Sequence, residues 1–227
     1  MKRLLLILAS TFPFHSSASD TLVESIERFT DIFGISFSQM NGSTVTTLDA
    51  NYQVNDELRV FGDIDTDVNW EVGAGYSFWQ GQTYYTENTF KVSEYKLTTG
   101  IFVAKLIHDS WTLIGDTNYN YTFDQEYCIP ATCVEHKAAN SIDYSAGFLW
   151  SPTRYADFLV KYNQEIGIKE DKWYRKDSNL ERFSSRKNTH YYEVATFINL
   201  KYIKPSVTYT IKPEADNYVE FGLAFDF

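Results

Sequence analysis

The two cysteines, Cys128 and Cys133, are the residues with the most specific chemistry in this chain. They follow a C-x4-C spacing around Pro130, and His136 lies three residues further on. In exported chains, two nearby cysteines usually form a disulfide. A metal site would recruit His136 as a third ligand, but no fourth ligand is evident, and zinc sites normally have four. The spacing therefore predicts a disulfide that fixes the shape of a surface loop, with no metal site.

A locally basic segment lies between residues 166 and 189, in a chain that is otherwise acidic. Its seven bases are offset by four acids and interleaved with Trp173, Tyr174 and Phe183. Arginine and lysine side chains bind phosphate groups well. The segment is therefore a candidate platform for an anionic surface such as lipopolysaccharide, and the residues expected to contribute are Lys172, Trp173, Arg175 and Arg182. A solvated loop of mixed charge is the alternative interpretation.

An alternation of apolar and polar residues predicts the strands that position these groups. Alternating segments of about ten residues recur from Phe33 to the C-terminus, separated by turn signals. They number twelve if residues 83–105 form a hairpin, and ten if that region is largely a loop. Tight turns are predicted at 55–57, 80–82, 108–110, 151–153 and 204–205. The opposite side carries the long segments 124–140 and 166–189. This asymmetry is typical of an antiparallel up-and-down transmembrane β-barrel, with short periplasmic turns and long extracellular loops.

The last ten residues, 218–227, support this interpretation. Apolar residues alternate there with small or acidic ones, and the apolar set is Val219, Phe221, Leu223, Phe225 and Phe227. The pattern resembles the closing strand of bacterial outer-membrane β-barrel proteins, which typically ends in Phe. The resemblance implies an all-β barrel in the outer membrane, reached through the periplasm. It also implies that Phe225 and Phe227 belong to the signal read by the barrel assembly machinery.

Length and strand number are similar to those of small twelve-stranded porins for acidic oligosaccharides. Those porins depend on Arg-rich lumens that hold carboxylates. This chain has only one arginine and three lysines at its inward-facing positions. The resemblance therefore implies the same architecture but not the same class of substrate.

Along each strand, the residues that alternate with the outward apolar ones have the opposite parity and should face the interior of such a barrel. Most of the charged residues among them are acidic. The predicted lumen set has eleven acids and four bases: Asp49, Asp63, Asp65, Glu71, Asp116, Asp143, Asp157, Glu165, Glu193, Glu220, Asp226, Arg59, Lys96, Lys161 and Lys201. The excess of carboxylates predicts a narrow path that prefers cations or neutral solutes over anions. The alternative is a barrel filled by its own side chains, in which these acids pair with internal partners.

The N-terminus predicts export. Two bases, an apolar run from residue 4 to residue 14 and a small polar stretch form a secretory signal peptide over 1–19, which leaves a barrel domain over 20–227. Apolar residues then recur at helical spacing: Leu22, Val23, Ile26 and Phe29. They predict a short amphipathic helix over about 20–31 that plugs the barrel or lies at the periplasmic interface. A loosely ordered leader is the alternative.

Net charge makes nucleic acid an improbable partner. Without Lys2 and Arg3 the chain keeps 18 bases against 30 acids, a net charge of −12 (18 − 30). Binding of nucleic acid depends on a basic footprint, which this chain lacks. Outer-membrane lipid and lipopolysaccharide, the barrel assembly machinery and an unknown surface partner are the partners expected.

Three functions are compatible with these features. The leading one is a narrow passive channel for small neutral or cationic solutes. The alternative is a non-conducting barrel for surface interaction or structure that uses residues 124–140 and 166–189. An outer-membrane hydrolase is the remote third, since a barrel protease would need paired acids beside a histidine. Asp63 and Asp65 are such a pair, but nothing in the sequence brings His190 near them, so the sequence predicts neither an enzyme nor a cofactor.

Overall fold

The computed structural model describes residues 22, 32–40, 43–129, 132–175 and 180–226, which form fourteen β-strands and one helical position at Leu22. The strands are β1 (Ile32–Met40), β2 (Ser43–Gln53), β3 (Leu58–Asp65), β4 (Trp70–Gln80), β5 (Tyr84–Ser93), β6 (Lys96–His108), β7 (Trp111–Thr122), β8 (Gln125–Ile129), β9 (Thr132–Lys137), β10 (Ser141–Thr153), β11 (Ala156–Arg175), β12 (Leu180–Ile198), β13 (Ile203–Ile211) and β14 (Tyr218–Asp226).

The sheet closes on itself as a barrel of twelve strands. All pairings are antiparallel: β1 pairs with both β2 and β14, and β10 lies between β7 and β11. Two of the fourteen strands, β8 and β9, lie outside this ring; they pair with each other, and β9 also pairs with the outer end of β11. The twelve-stranded prediction is confirmed, because residues 83–105 supply the complete hairpin of β5 and β6.

The outer surface of the barrel is apolar and exposed, as the alternation predicts. The exposed side chains of its central belt are aliphatic residues and phenylalanines, among them Val60, Val72, Phe90, Ile101, Val160, Val194 and Phe221. Aromatic side chains ring the end with the short turns, among them Trp79, Tyr84, Trp111, Tyr155 and Tyr202. A second ring lies toward the other end and includes Trp70, Tyr95, Tyr121, Tyr192 and Tyr209. An apolar band between two aromatic girdles is the surface that a bilayer requires of a barrel.

Two predicted turns are wrong, at 151–153 and 204–205. Residues 151–153 end β10, and the turn follows at 154–155; Lys204 and Pro205 belong to β13, after a link at 199–202. Pro152 is tolerated because the register between β10 and β11 shifts between Trp150 and Thr153. Pro205 pairs with Leu223 of β14, but no β12 residue is paired opposite it. Proline occurs in sheets at such bulges and edges.

The two long segments predicted as loops are largely strands. β11 and β12 pair as far as Arg175 and Leu180, although their register shifts beyond Ile166, and Gln125–Ile129 (β8) pairs with Thr132–Lys137 (β9). Val134–Lys137 pairs with the outer end of β11. These four strands form a sheet that extends beyond the ring of the barrel. The sequence predicts that this end is extracellular and the opposite end periplasmic, and we call the sheet and the two ends by these names. The apolar alternation that marks a lipid-facing strand is absent there because both faces of such a sheet meet water.

Leu22 is helical and fully buried, and it packs against Tyr85 and Ala104. The rest of the predicted helix over 20–31 lies outside the described residues, as do the predicted signal peptide and Phe227. Within the described part of the chain, no helix has the length and apolar character needed to cross a membrane.

Candidate functional site

A cavity of about 600 Å³ lies inside the barrel. Eight members of the predicted lumen set line it: Asp49, Arg59, Asp63, Lys96, Asp116, Asp143, Lys161 and Glu165. A smaller cavity of about 170 Å³ shares Ile32 and Asp49 with it and reaches Lys204 and Glu220. Strand parity therefore brings most of the predicted charges to a single internal space.

The most buried ion pair on the lumen wall joins Arg59 of β3 to Glu87 of β5. The Arg59 Nε and Nη2 atoms donate to the two Glu87 carboxylate oxygens at 2.6 and 2.7 Å, and the Tyr85 hydroxyl donates to the same carboxylate at 2.9 Å. The guanidinium also lies 4.6 Å from the centre of the Phe61 ring. The Glu87 side chain is 1% exposed, so its charge is compensated almost entirely by these donors.

Several other lumen acids are also neutralised by bases. Lys91 Nζ lies 2.9 Å from Glu71, and Lys161 Nζ lies 3.2 Å from Asp116. Asn118 donates to Asp116 at 3.0 Å, and the Ser145 hydroxyl donates to it as well. This part of the lumen wall therefore carries little net charge.

A second set of polar contacts lies closer to the extracellular end. Lys187 Nζ lies 2.7 Å from Glu165, whose carboxylate accepts a hydrogen bond from Ser141 Oγ at 2.6 Å. Asn120 donates to the same hydroxyl at 3.1 Å and accepts from Thr98 at 2.7 Å. These residues come from β6, β7, β10, β11 and β12, so the contacts join neighbouring strands across that wall.

Asp49 and Asp63 differ from these acids. They are direct cross-strand partners on β2 and β3, and Asp63 is in turn paired in register with Glu71 of β4. Neither Asp49 nor Asp63 forms an ion pair with any residue that the structure describes. On the other side of the cavity, Asp143 Oδ1 is buried without a hydrogen-bond partner. The lumen therefore contains carboxylates that its described bases do not neutralise.

The structure places other predicted lumen residues away from the main cavity. Asp65 ends β3 and accepts hydrogen bonds from the Asp67 and Asn69 backbones at 2.8 and 3.0 Å, so it caps an extracellular turn. Lys201 lies in the link between β12 and β13, with its ammonium 4.9 Å from the Tyr202 ring centre. Parity predicts the face of a strand but not where the strand ends, so neither residue is brought to the main cavity.

Three further members of the predicted set lie on the inner wall, outside the main cavity. Glu71 pairs with Lys91 there, and Glu193 accepts a hydrogen bond from Asn163 at 2.9 Å. Asp157 is 1% exposed and accepts from Asn199 at 2.5 Å. The side chain of Asp226 lies outside the described residues.

Sequence reasoning missed Glu87 and Lys91. The first arm of the 83–105 hairpin fits either parity, so neither face could be chosen. In the structure Tyr85, Glu87 and Thr89 are buried on the inner face, while Phe90 is 53% exposed outside. The shared parity of Glu87 and Lys91, opposite to that of Phe90 and Val92, was the available signal.

The extracellular sheet holds the cysteines and the predicted interaction residues. Cys128 and Cys133 form a disulfide across directly paired positions of β8 and β9, with an S–S distance of 2.02 Å. His136 lies three residues beyond Cys133, so the two occupy opposite faces of β9, and its ring stacks on Trp173 at 4.0 Å. The sulfurs and the imidazole are therefore not brought together.

The predicted anion platform is divided between two faces. Lys172 and Trp173 are consecutive residues of β11 and point to opposite sides of the extracellular sheet. The side chains of Arg175 and Arg182 lie outside the described residues. The acid and histidine considered for proteolysis are also separated. On β12, His190 has the same parity as the exposed, outward-facing Tyr192 and Val194, whereas Asp63 lines the cavity from β3.

Solved structures with the same fold include outer-membrane porins and channels. The KdgM porin in complex with disordered oligogalacturonate is 11% identical with a TM-score of 0.59, and the match covers 86% of this chain and 99% of that one. The NanC porin is 8% identical with a TM-score of 0.61 over the same shares. An outer-membrane channel from Pseudomonas putida F1 is 10% identical with a TM-score of 0.58, and the match covers 86% and 94% of the two chains.

At these identities the likeness concerns the fold, which is that of small bacterial outer-membrane β-barrel proteins. No protein-family model matches the sequence, and no curated protein matches it either.

Proposed function

We propose that this protein is an outer-membrane channel whose lumen favours small cations and neutral solutes over anions. The observation that carries the proposal is the pair of neighbouring carboxylates, Asp49 and Asp63, that lines the cavity without an ion pair among the described residues. Fixed negative charge in a narrow, low-dielectric path attracts cations and repels anions.

The balance of charges around the cavity supports this sign of selectivity. Four acids on the lumen wall have a base within ion-pair distance: Glu71, Glu87, Asp116 and Glu165. Asp49, Asp63 and Asp143 do not, whereas Lys96 is the one cavity-lining base without such a partner in the described part of the chain. The remaining charge is therefore negative.

Residence in the outer membrane and assembly by its barrel machinery belong to the same proposal. The apolar belt between two aromatic girdles supports lipid contact on all sides of the barrel. The known porins of this fold are outer-membrane proteins, and KdgM was solved with oligogalacturonate. That acidic solute is not carried over, because the unpaired lumen charge here has the opposite sign to the one that would hold it.

Ion selectivity of the refolded protein in a planar bilayer tests the proposal. A salt gradient should give a reversal potential of cation-selective sign, and the Asp49→Asn/Asp63→Asn double variant should shrink it. The matched control is Glu214→Gln/Asp216→Asn, which removes two exposed acids from the link between β13 and β14. That control should leave the potential almost unchanged, because exposed charges outside the path are screened by salt.

Two results would contradict the proposal. An anion-selective potential, or one that Asp49→Asn/Asp63→Asn leaves unchanged, would show that these carboxylates do not set selectivity. A barrel that inserts without carrying current would instead favour the second candidate, a surface-interaction barrel. The observation behind that candidate is the extracellular sheet, in which Tyr127 and His136 both stack on Trp173.

A further inference from the structure

An apolar patch lies on the inner wall of β5, β6 and β7, where the alternation of a water-filled barrel predicts polar side chains. It comprises Tyr85, Phe102, Ala104, Leu106 and Ile114. The sequence of β6 shows its origin, since residues 101–107 read Ile-Phe-Val-Ala-Lys-Leu-Ile and, apart from Lys105, are apolar at both parities. The outward set, which includes Ile101 and Val103, is exposed on the lipid-facing side. The inward-facing apolar side chains do not face lipid, so they require another apolar residue to bury them.

Leu22 is the residue that packs on this patch. Its side chain has no exposed surface and packs against Tyr85 and Ala104, which are 6% and 2% exposed. Phe102, Leu106 and Ile114 surround this contact. Tyr85 in turn donates its hydroxyl hydrogen to Glu87, so one side chain connects Leu22 to the Arg59–Glu87 ion pair. A residue from the start of the chain is thus held within the lumen, beside its most buried charge pair.

We infer that the apolar patch is a seat for Leu22 and that the seated residue narrows the conducting path. The inference rests on the proposed channel function. Burying a leucine side chain favours the seated state by roughly tenfold to a hundredfold. Seating therefore dominates at equilibrium but is reversible. The path widens when Leu22 leaves the patch, because its side chain no longer occupies space beside Phe102, which also lines the main cavity.

A designed disulfide tests whether the seat is occupied in the membrane. Leu22→Cys and Ala104→Cys are introduced together in a Cys128→Ser/Cys133→Ser background, which removes both native thiols. Oxidation of the refolded protein in phosphatidylcholine vesicles should join the two new cysteines. The matched control pairs Leu22→Cys with Ala146→Cys, because Ala146 lies on the outer face of β10, between the exposed Ile142 and Phe148. That pair should not join.

Conductance of the same protein tests the effect on the path. After reduction, single-channel records should show brief openings to a several-fold higher conductance, because seating is reversible, and the oxidised, locked barrel should lack these openings. Leu22→Asp should raise the mean conductance of the wild-type background several-fold, whereas Leu22→Met, which nearly conserves volume, should leave it unchanged.

The outcomes separate this inference from the channel function. Failure of residues 22 and 104 to crosslink faster than the Ala146 control would overturn the seat. Crosslinking that leaves the single-channel openings the same in the locked and reduced states would overturn the narrowing while leaving the channel intact. A barrel that is silent in every variant, including Leu22→Asp, would overturn both proposals.

Discussion

Two ion pairs in the lumen differ strongly in burial. Breaking them should therefore lower the free energy of unfolding by very different amounts. Glu87 is 1% exposed and accepts two hydrogen bonds from Arg59, at 2.6 and 2.7 Å. Glu71 is 22% exposed and Lys91 33%, with a single contact of 2.9 Å. The variants Glu87→Gln and Glu71→Gln keep the side-chain shape and remove one charge each, so they compare burial with little change in volume.

The expected magnitudes follow from these contacts. Hydrogen bonds to charged groups contribute about 1.5–3 kcal/mol each, and removing one partner of a buried pair costs about 3–5 kcal/mol. Arg59 remains 22% exposed, so water solvates part of its orphaned charge. We therefore expect Glu87→Gln to lower the free energy of unfolding by about 2–4 kcal/mol. Glu71→Gln should lower it by about 1 kcal/mol or less, as for other solvated pairs.

Equilibrium urea unfolding of the refolded barrel in lipid vesicles, followed by tryptophan fluorescence, measures both values. The double variant Arg59→Met/Glu87→Leu removes the pair together and should recover much of the loss, because no buried charge is left uncompensated. If the two single variants differ by less than about 0.5 kcal/mol, the size of ordinary non-additivity, burial does not determine the cost and the reasoning fails.

Three further predictions concern the turns, the lipid face and the disulfide. Val68 has a φ of 65°, in the left-handed region that β-branched residues rarely adopt. Val68→Asn should therefore raise the free energy of unfolding by about 1 kcal/mol, and equal or lower stability in urea would contradict this strain. Phe221→Arg should lower the free energy of unfolding by about 2–4 kcal/mol, because Phe221 lies near the middle of β14. Phe225→Arg should lower it by about 0–1 kcal/mol, because Phe225 lies near the periplasmic end of the same strand. Equal losses for the two variants in lipid vesicles would contradict this placement. Cys128 and Cys133 should resist alkylation until reduced and then gain two labels, and Cys128→Ser/Cys133→Ser should cost at most about 2 kcal/mol, since the cysteines are 5 residues apart in sequence. Immediate labelling of the unreduced protein would exclude the bond.

The sequence alone predicted the barrel and its strand number. Period-two alternation is a local property, because successive side chains of a strand point to opposite faces wherever the strand lies. It therefore placed Asp49, Asp63 and Asp143 on the inner wall and Phe33 and Phe221 on the outer one without knowledge of any neighbour. The short spacing of Cys128 and Cys133 likewise made their bond predictable.

Strand ends were less predictable than strand faces. Lys201 and Asp65 have the inward parity, yet one lies in a periplasmic link and the other caps an extracellular turn. The sequence predicts a loop at the outer ends of β11 and β12, because their charged residues leave no apolar face. Their cross-strand pairing continues beyond the lipid, where neither face has to be apolar.

The tertiary structure alone decided which lumen charges remain unpaired. Arg59 on β3 meets Glu87 on β5, 28 residues away, and Lys161 on β11 meets Asp116 on β7. Whether an acid has a base within ion-pair distance depends on the register of several strands and on the curvature of the closed sheet. Neither is encoded in the alternation of a single strand, and the same is true of the contact that buries Leu22 against β5 and β6. Coulomb interaction depends on distance in space, so the sequence specified the charges while the closure of the barrel set the field they produce.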